Sequence, residues 1–253
     1  MAEPKKIVAC LDIQNGKVVK GVNFAGIKEV GDVLERAKLY AQMGADELCF
    51  YDISASVEGR VLFTKLLGQM VQAVDVPVSA AGGVRTPDDF ARVLDTGVTK
   101  VSMNSGALAS PSLVEECANR FGSDKVVVAV DAARVGDTWH CFNQAGAHDT
   151  GTKTLPWLKQ CQESGAGEIV VNSIDTDGVR EGYDLQLLQA VCQEVSIPVV
   201  ASGGAGSMEH ILRLFQQVPG CAAALGASIF HFDLVDIGEL KRLLRQAGIP
   251  VRQ

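Results

Sequence analysis

The stretch Ile197-Pro198-Val199-Val200-Ala201-Ser202-Gly203-Gly204 repeats Val76-Pro77-Val78-Ser79-Ala80-Ala81-Gly82-Gly83 at an offset of 121 positions, from 76 to 197. At the same offset, Gly44-Ala45-Asp46-Glu47-Leu48 recurs as Gly165-Ala166-Gly167-Glu168-Ile169. An internal repeat of this kind indicates that similar structural units follow one another along the chain. The offset is close to half of the 253 residues, so two similar halves are predicted.

Short apolar, β-branched runs alternate with segments of helical periodicity along the whole chain. Near-continuous hydrophobicity in such runs is typical of strands that are buried on both faces of a parallel sheet. The predicted strands span residues 7–12, 47–52, 77–81, 100–104, 126–131, 168–173, 198–202 and 222–226. Helices are predicted from Val33 to near Gly44, after the N-cap Thr86 and its following proline, and from Met208 to Gln217.

Eight such strand–helix units predict an α/β fold, a (β/α)8 TIM barrel with a two-fold half-barrel internal repeat. A doubly wound sheet is the alternative for the same alternation of elements. The sequence between the halves is not rich in Pro, Gly or Ser. We therefore expect one domain over residues 1–253, with half-barrels of about 1–122 and 123–253.

Composition narrows the class of function. The chain carries 23 Lys and Arg against 30 Asp and Glu, a net charge of −7, without a basic run. This balance argues against nucleic acid or an anionic membrane as a partner held by charge. The seven cysteines are scattered and the four histidines lack zinc-ligand spacing, so no metal or cofactor is expected. With no signal-peptide pattern or long apolar run, a cytoplasmic location is expected.

Two aspartates are the candidate catalytic residues. Asp12 ends the first predicted strand and Asp131 ends the fifth, so the two should face each other across the mouth of a barrel. Active sites of such barrels lie at the carboxyl ends of the strands. Opposed carboxyl groups can remove one proton and deliver another if their environments separate their pKa values. The alternative is that each aspartate only caps a neighbouring loop.

Paired small-residue turns predict two phosphate sites. Gly82-Gly83 and Gly203-Gly204 follow the third and seventh strands, while Asn104-Ser105-Gly106 and Gly226-Ala227-Ser228 follow the fourth and eighth. Glycine lets the backbone approach an anion closely, and a helix amino end offers free N–H groups. Two copies half a barrel apart predict a small ligand with a phosphate at each end.

Four charged residues mark the opposite end of the barrel. Lys6, Glu47, Lys100 and Glu168 stand at the starts of the first, second, fourth and sixth strands. They could form a ring of salt bridges on the barrel floor, or simply a solvated surface.

These motifs together resemble the HisF family, the cyclase subunit of imidazole glycerol phosphate synthase, over essentially the full chain. The matching segments are Ala9-Cys10-Leu11-Asp12, Gly16-Lys17-Val18-Val19-Lys20-Gly21, Asp46-Glu47-Leu48, Asp52-Ile53-Ser54-Ala55-Ser56, Val128-Ala129-Val130-Asp131, Gly165-Ala166-Gly167-Glu168-Ile169, Asp177-Gly178-Val179-Arg180, Ala201-Ser202-Gly203-Gly204-Ala205-Gly206 and Ala227-Ser228-Ile229-Phe230-His231.

The resemblance implies a lyase of histidine biosynthesis that uses ammonia. Its substrate is the phosphoribulosyl formimino carboxamide ribonucleotide PRFAR, and its products are imidazole glycerol phosphate and aminoimidazole carboxamide ribonucleotide. Asp12 and Asp131 match the general acid and base, and Lys20 lies in a loop that would close over the site. The residues implied to bind substrate or its phosphates are Lys20, Asp52, Gly83, Asn104, Ser105, Asp177, Gly178, Gly204, Ala227 and Ser228.

The resemblance also implies a partner. Lys6, Glu47, Lys100 and Glu168 match a gate through which ammonia enters the barrel from a HisH-type glutaminase in a heterodimer. Members of the family usually have Asp on the partner-facing side where this chain has Thr99, so coupling to a glutaminase is less secure than the cyclase chemistry. Arg is also common at the position of Lys6, and lysine preserves its charge.

Three alternative functions remain at this point. One is the sibling phosphoribosyl isomerase of the same pathway, which uses the same strand ends and needs no ammonia. A second is a paralogous ammonia-using synthase acting on another phosphorylated substrate. A third is a catalytically silent phosphate-binding barrel, which the presence of both Asp12 and Asp131 disfavours.

Overall fold

Eight parallel strands close into a barrel in the computed structural model. The structure describes residues 3–22, 25–144 and 146–252, without the side chains of residues 20–22 and 25–28. The strands in chain order are β1 (Lys6–Gln14), β2 (Lys17–Val22), β3 (Ala25–Gly31), β4 (Glu47–Asp52), β5 (Val78–Ala81), β6 (Lys100–Met103), β7 (Val126–Val135), β8 (Thr138–Asn143), β9 (His148–Lys153), β10 (Glu168–Ser173), β11 (Val199–Ser202) and β12 (Cys221–Gly226).

The order of the barrel strands is β1-β4-β5-β6-β7-β10-β11-β12, and β12 returns to β1. The last pairing is parallel, with Lys6 opposite Ala223 and Ala9 opposite Gly226. Pairing of β7 with β10 continues the parallel barrel on the other side. Together these contacts confirm the predicted (β/α)8 barrel over the doubly wound alternative.

Helices cover the outside of the barrel. They are α1 (Val33–Gln42), α2 (Thr64–Ala73), α3 (Pro87–Leu94), α4 (Ser105–Ala109), α5 (Ser112–Phe121), α6 (Thr154–Glu163), α7 (Leu185–Glu194), α8 (Met208–Gln217), α9 (Ser228–His231) and α10 (Ile237–Gln246), with a 3-10 turn over Ser123–Lys125. The Thr86 side chain accepts from the backbone N–H of Asp89, whose carboxylate accepts in return, so α3 begins with a complete capping box. Among the described residues, no helix has the length and apolar character to cross a membrane.

Two antiparallel hairpins extend the barrel beyond the predicted strands. β1 and β7 run past Asp12 and Asp131 to Gln14 and Val135, because β2–β3 and β8–β9 continue the sheet there. In the first hairpin Gln14 pairs with Lys17 across Asn15-Gly16, and Asn15 has φ 51°. An Asn-Gly pair between apolar runs favours such a two-residue turn, and this signal was the one that could have revealed the hairpin.

The alternation of side chains along β1 directs Asp12 into the barrel interior. Ile7, Ala9 and Leu11 of β1 belong to the large core between strands and helices, whereas Val8 packs inside the barrel with Val200. Because successive side chains point to opposite faces, Asp12 shares the inner face with Val8. The fold thus places this carboxyl group in the barrel interior near the carboxyl ends of the strands.

Candidate active site

Asp12 and Asp131 line one cavity of about 110 Å³ along the barrel interior. The same cavity reaches Glu47 and Glu168 at the amino ends of their strands and Ser228 at the mouth. The two predicted catalytic carboxyl groups therefore share a space that extends from the floor to the mouth of the barrel.

The Asp131 carboxyl group is buried and held by two amides. Asn172 Nδ2 donates to Oδ1 at 2.9 Å, and Asn104 Nδ2 donates to Oδ2 at 2.8 Å. Burial raises the pKa of Asp131 to about 6, and the charge of Asp177 adds to the increase, although both amide donors oppose it. A carboxyl group with this pKa can both hold and release a proton near neutral pH.

Asp12 lies in a different environment. Its side chain is half-buried, and the Cys10 thiol donates to Oδ1 at 3.5 Å. The two carboxyl groups of the cavity therefore differ in exposure and in hydrogen-bond partners. Such a difference is what allows two similar groups to take separate acid and base roles.

Asp52 is occupied within its own loop. Oδ1 accepts from the backbone N–H groups of Ser54 and Ala55 at 3.2 and 3.0 Å, and Oδ2 accepts from Arg60 at 2.6 Å. The Asp52 side chain has no exposed surface. This geometry favours ordering of the loop after β4 over direct contact of the carboxylate with substrate.

One predicted phosphate cradle forms a second cavity, of about 140 Å³, which includes Gly82, Gly83, Ser105 and also Asp131 in its lining. Gly83 has φ 68°, and an added Cβ would lie 1.9 Å from the Arg60 carbonyl oxygen, so a side chain does not fit. The helix α4 begins at Ser105 beside this backbone.

The second predicted cradle is at the mouth of the central cavity. Its lining includes Asp177, Gly178, Gly203, Gly204, Ala227 and Ser228. Gly204 has φ 101°, and a Cβ there would lie 2.0 Å from the Gly182 carbonyl oxygen. The helix α9 begins at Ser228. The structure thus brings both predicted small-residue turns to the cavities that contain the aspartates.

The Asn104 side chain contacts the Asp131 carboxyl group. Its amide nitrogen is used by Asp131, and within the described part of the chain its buried carbonyl oxygen has no hydrogen-bond partner. That oxygen can accept a hydrogen bond from an N–H donor in the cavity. The side chain of Lys20 lies outside the described residues, and its backbone is in β2.

The four charged residues of the barrel floor form an alternating ring. Lys6 Nζ lies 3.3 Å from Glu47 and 3.5 Å from Glu168, and Lys100 Nζ lies 3.0 Å from Glu47 and 2.9 Å from Glu168. Burial alone would raise the pKa of Glu47, but Lys100 and Lys6 hold it below its usual value. Burial alone would lower the pKa of Lys100, but the charges of the two glutamates raise it above its usual value. Glu47 and Lys100 are therefore both charged near neutral pH.

Thr99 precedes Lys100 at the same end of the barrel. Its hydroxyl donates to the Val78 carbonyl oxygen at 3.1 Å, so it is bonded to a neighbouring strand.

Sequence reasoning missed Asn172. Its carbonyl oxygen accepts from Ser202 Oγ at 3.1 Å, which turns its NH2 group toward Asp131. The available signal was a polar residue in an apolar strand. Asn172 lies two positions after the inward-facing Val170 and therefore on the same face of the strand.

Comparison with known proteins places the chain in a family. A family model described as a histidine biosynthesis protein matches residues 6–236. The chain is 47% identical to the imidazole glycerol phosphate synthase subunit HisF of Metallosphaera sedula over 248 residues, 98% of each chain. It is 43% identical to the subunit of the same name from Streptococcus mutans, over 98% of this chain and 99% of the relative. For the Myxococcus xanthus subunit the identity is 46%, over 98% of each chain. The chain belongs to the HisF family of histidine biosynthesis proteins.

Proposed function

We propose that the chain catalyses the ammonia-dependent conversion of PRFAR to imidazole glycerol phosphate and aminoimidazole carboxamide ribonucleotide. The observation that carries this proposal is the placement of Asp12 and Asp131 in cavities that also contain two glycine-rich cradles. A substrate with a phosphate at each end would span the cradles with its reacting centre between the aspartates. Membership of the HisF family supports the same reaction.

In this proposal the aspartates exchange protons with the reacting centre. Asp12 activates ammonia or an imine intermediate, and Asp131 protonates the departing group. The pKa of about 6 for Asp131 supports the second assignment, because a carboxyl group must carry a proton to deliver it.

The remaining substrate contacts are assigned by cradle. The backbone around Gly83, Asn104 and Ser105 holds one phosphate. Asp177, Gly178, Gly204, Ala227 and Ser228 surround the other phosphate and its sugar. Lys20 closes over the site, and Asp52 acts through the loop that it orders.

Ammonia is proposed to enter through the ring of Lys6, Glu47, Lys100 and Glu168. Glu47 and Glu168 line the cavity that also contains both aspartates, which supports a route from floor to mouth. The relatives are named as a synthase subunit, and we propose a HisH-type glutaminase as the partner in a cytoplasmic heterodimer. The sibling isomerisation needs no ammonia and gives no reason for a charged ring at the floor of an interior cavity.

The cyclase assignment is tested by turnover of PRFAR with an ammonium salt and no partner. Asp12→Asn and Asp131→Asn should each reduce turnover by roughly 10²-fold or more, because each removes an acid–base group. Asp124→Asn, an exposed residue of the 3-10 turn, is the matched control and should keep full activity. Near-normal turnover in either cavity variant would refute the assignment of that residue.

The partner is tested separately by titration with a HisH-type glutaminase. Binding together with glutamine-driven turnover is the expected result. If no complex forms while ammonium salt still supports turnover, the cyclase stands and the partner proposal fails.

A further inference from the structure

Two cysteines outside the active site lie in direct contact. Cys192 is near the end of α7, Cys221 is the first residue of β12, and their Sγ atoms are 3.7 Å apart. Cys221 has no exposed surface, while Cys192 is half-buried. The pair therefore combines a half-buried cysteine with a fully buried one in direct contact.

The chain segments that carry the two cysteines pack closely against each other, with the two sulfurs in contact. A Cβ built on Gly220, the residue before Cys221, would lie 2.9 Å from Cys192 Cβ and 3.3 Å from its Sγ. A disulfide needs an S–S distance of about 2.05 Å with the two Cβ atoms about 3.5–4.5 Å apart. The sulfurs must therefore approach each other by roughly 1.6 Å to form the bond.

A fixed ammonium group lies beside the thiols. Lys5 Nζ donates to the carbonyl oxygens of Pro219 and Cys221 at 2.6 and 2.7 Å. A hydrogen bond from Cys221 holds the pKa of Cys192 below its usual value; burial opposes this effect and the charge of Lys5 adds to it. Glu3 is a further charged group near Lys5. Cys192 is thus the thiol that more readily becomes the nucleophilic thiolate.

We propose that Cys192 and Cys221 are a modification site that forms a reversible disulfide by exchange with a small-molecule disulfide such as glutathione disulfide. The Cys192 thiolate attacks one sulfur of the small molecule, forms a mixed disulfide and expels one thiolate, which takes up the proton that Cys192 lost. Cys221 then loses its proton, attacks the Cys192 sulfur and expels the second small-molecule thiol. Two protein thiols are oxidised, and one small-molecule disulfide is reduced to two thiols.

The second step is favoured by the first. The hydrogen bond to Cys192 and burial both raise the pKa of Cys221, and the negative charge of Cys192 adds to the increase. Once Cys192 is in the mixed disulfide, that charge is gone and its sulfur is only a weak, neutral acceptor, while Lys5 remains. The buried thiol is then free to act as the resolving group.

Other thiols make weaker candidates for the same chemistry. Burial raises the pKa of Cys117 to about 11 and that of Cys161 to about 12, which suppresses their thiolates. Cys10 and Cys49 are opposite each other on β1 and β4 and both line the central cavity, so they are the competing pair. The experiment must therefore identify which cysteines are joined.

The test uses the folded full-length chain, incubated with glutathione disulfide, alkylated and mapped by mass spectrometry. The wild type should lose two of its seven free thiols, yield a peptide that joins Cys192 to Cys221, and recover both thiols on reduction. Cys221→Ser should stop at glutathione bound to Cys192, because the resolving thiol is absent. Cys192→Ser should form no cross-link, and Cys117→Ser, the buried control, should react as the wild type does.

The wild-type map alone can overturn the proposal, so the result does not depend on the folding of Cys221→Ser. A Cys10–Cys49 cross-link in place of Cys192–Cys221, or glutathione that stays on Cys192 in the wild type, contradicts it. So does a reaction that begins only after the chain is denatured.

Discussion

Burial and hydrogen bonding act in opposite directions on the Asp131 carboxyl group. Removal from water favours the neutral acid, whereas the Asn172 and Asn104 amides favour the carboxylate. The pKa of about 6 is the balance of these effects. Asn172 is a positioning residue in this account, because it acts on the reaction only through Asp131.

The Asn172→Ala variant should raise the pKa of Asp131 further. It removes a donor that stabilises the carboxylate, and one hydrogen bond is worth about 1 kcal/mol, or somewhat less than one pH unit. The limb of the kcat/KM profile that depends on Asp131 should therefore move to higher pH. Asn143→Ala in β8 is the control, and its profile should match the wild type. A drop in rate without any change in the profile would mean that Asn172 has only a packing role.

The raised pKa also predicts that Asp131 costs stability. In the folded chain this carboxyl group binds its proton more tightly than at the usual pKa of 3.8, so the folded state is penalised where the group must ionise. The penalty is absent below about pH 4, grows up to about pH 6 and then stays constant. The difference between 3.8 and about 6 corresponds to at most roughly 3 kcal/mol.

Asp131→Asn should therefore gain stability relative to the wild type as the pH rises from 5 to 8. Denaturant unfolding at both pH values measures this change in the free energy of unfolding. Asp124→Asn, at an exposed site, should show a difference from the wild type that does not vary with pH. A stability difference for Asp131→Asn that is the same at both pH values would argue against the raised pKa.

Among the elements, the strands of the barrel and the capped helices were predictable, because buried parallel strands and helix starts have local sequence signals. The predicted helix over residues 208–217 matches α8, and Thr86 caps α3 as expected. The hairpin of β8 and β9 was not predicted. Its exposed strand β9 has little apolar alternation, so its pairing with β8 depends on neighbouring strands more than on its own sequence. The two-fold repeat and the half-barrel boundary near residue 122 stay predictions.

The site was predictable only in part for a related reason. Asp12 and Asp131 follow from strand position, since the end of a barrel strand is a known location for catalysis. The Asp52–Arg60 pair and the amide pair around Asp131 depend on distances between loops and strands that no local pattern encodes.

The turn after β11 provides a test at the level of one element. Gly204→Ala places a Cβ against the Gly182 carbonyl oxygen, so the backbone of the cradle must move. Gly44→Ala is a matched control, because Gly44 has φ 93° against 101° for Gly204 and open space around its Cβ position. Both variants should lose about 1–3 kcal/mol from the strained φ. Only Gly204→Ala should also raise the KM for PRFAR, by roughly tenfold. Equal KM values in the two variants would remove this turn from the substrate site.

At the scale of the whole molecule, the floor of the barrel carries a ring of alternating charges. The ring of Lys6, Glu47, Lys100 and Glu168 holds two nearly buried glutamates between two lysines, at the opposite end of the interior from Ser228. Removing one lysine leaves two carboxylates competing for the other, so the ring acts as a unit. Its members should show non-additive effects on stability.

Lys100→Met tests the ring in both stability and function. The variant should lose roughly 2–4 kcal/mol of stability, because it leaves buried carboxylates short of a partner. Adding Glu168→Gln to the Lys100→Met variant should recover part of this loss. Only one of the two glutamate charges then remains in the ring. If the ring controls the entry of ammonia from the proposed partner, glutamine-driven turnover with the glutaminase should fall by roughly tenfold. Turnover with ammonium salt should stay within about threefold, because dissolved ammonia can also enter the cavity at its mouth. Lys125→Met, an exposed lysine of the 3-10 turn, is the control for both assays. An equal fall in turnover with glutamine and with ammonium salt would show that the ring supports the active site through stability alone. Unchanged turnover with both sources of ammonia would show that the ring has no role in catalysis.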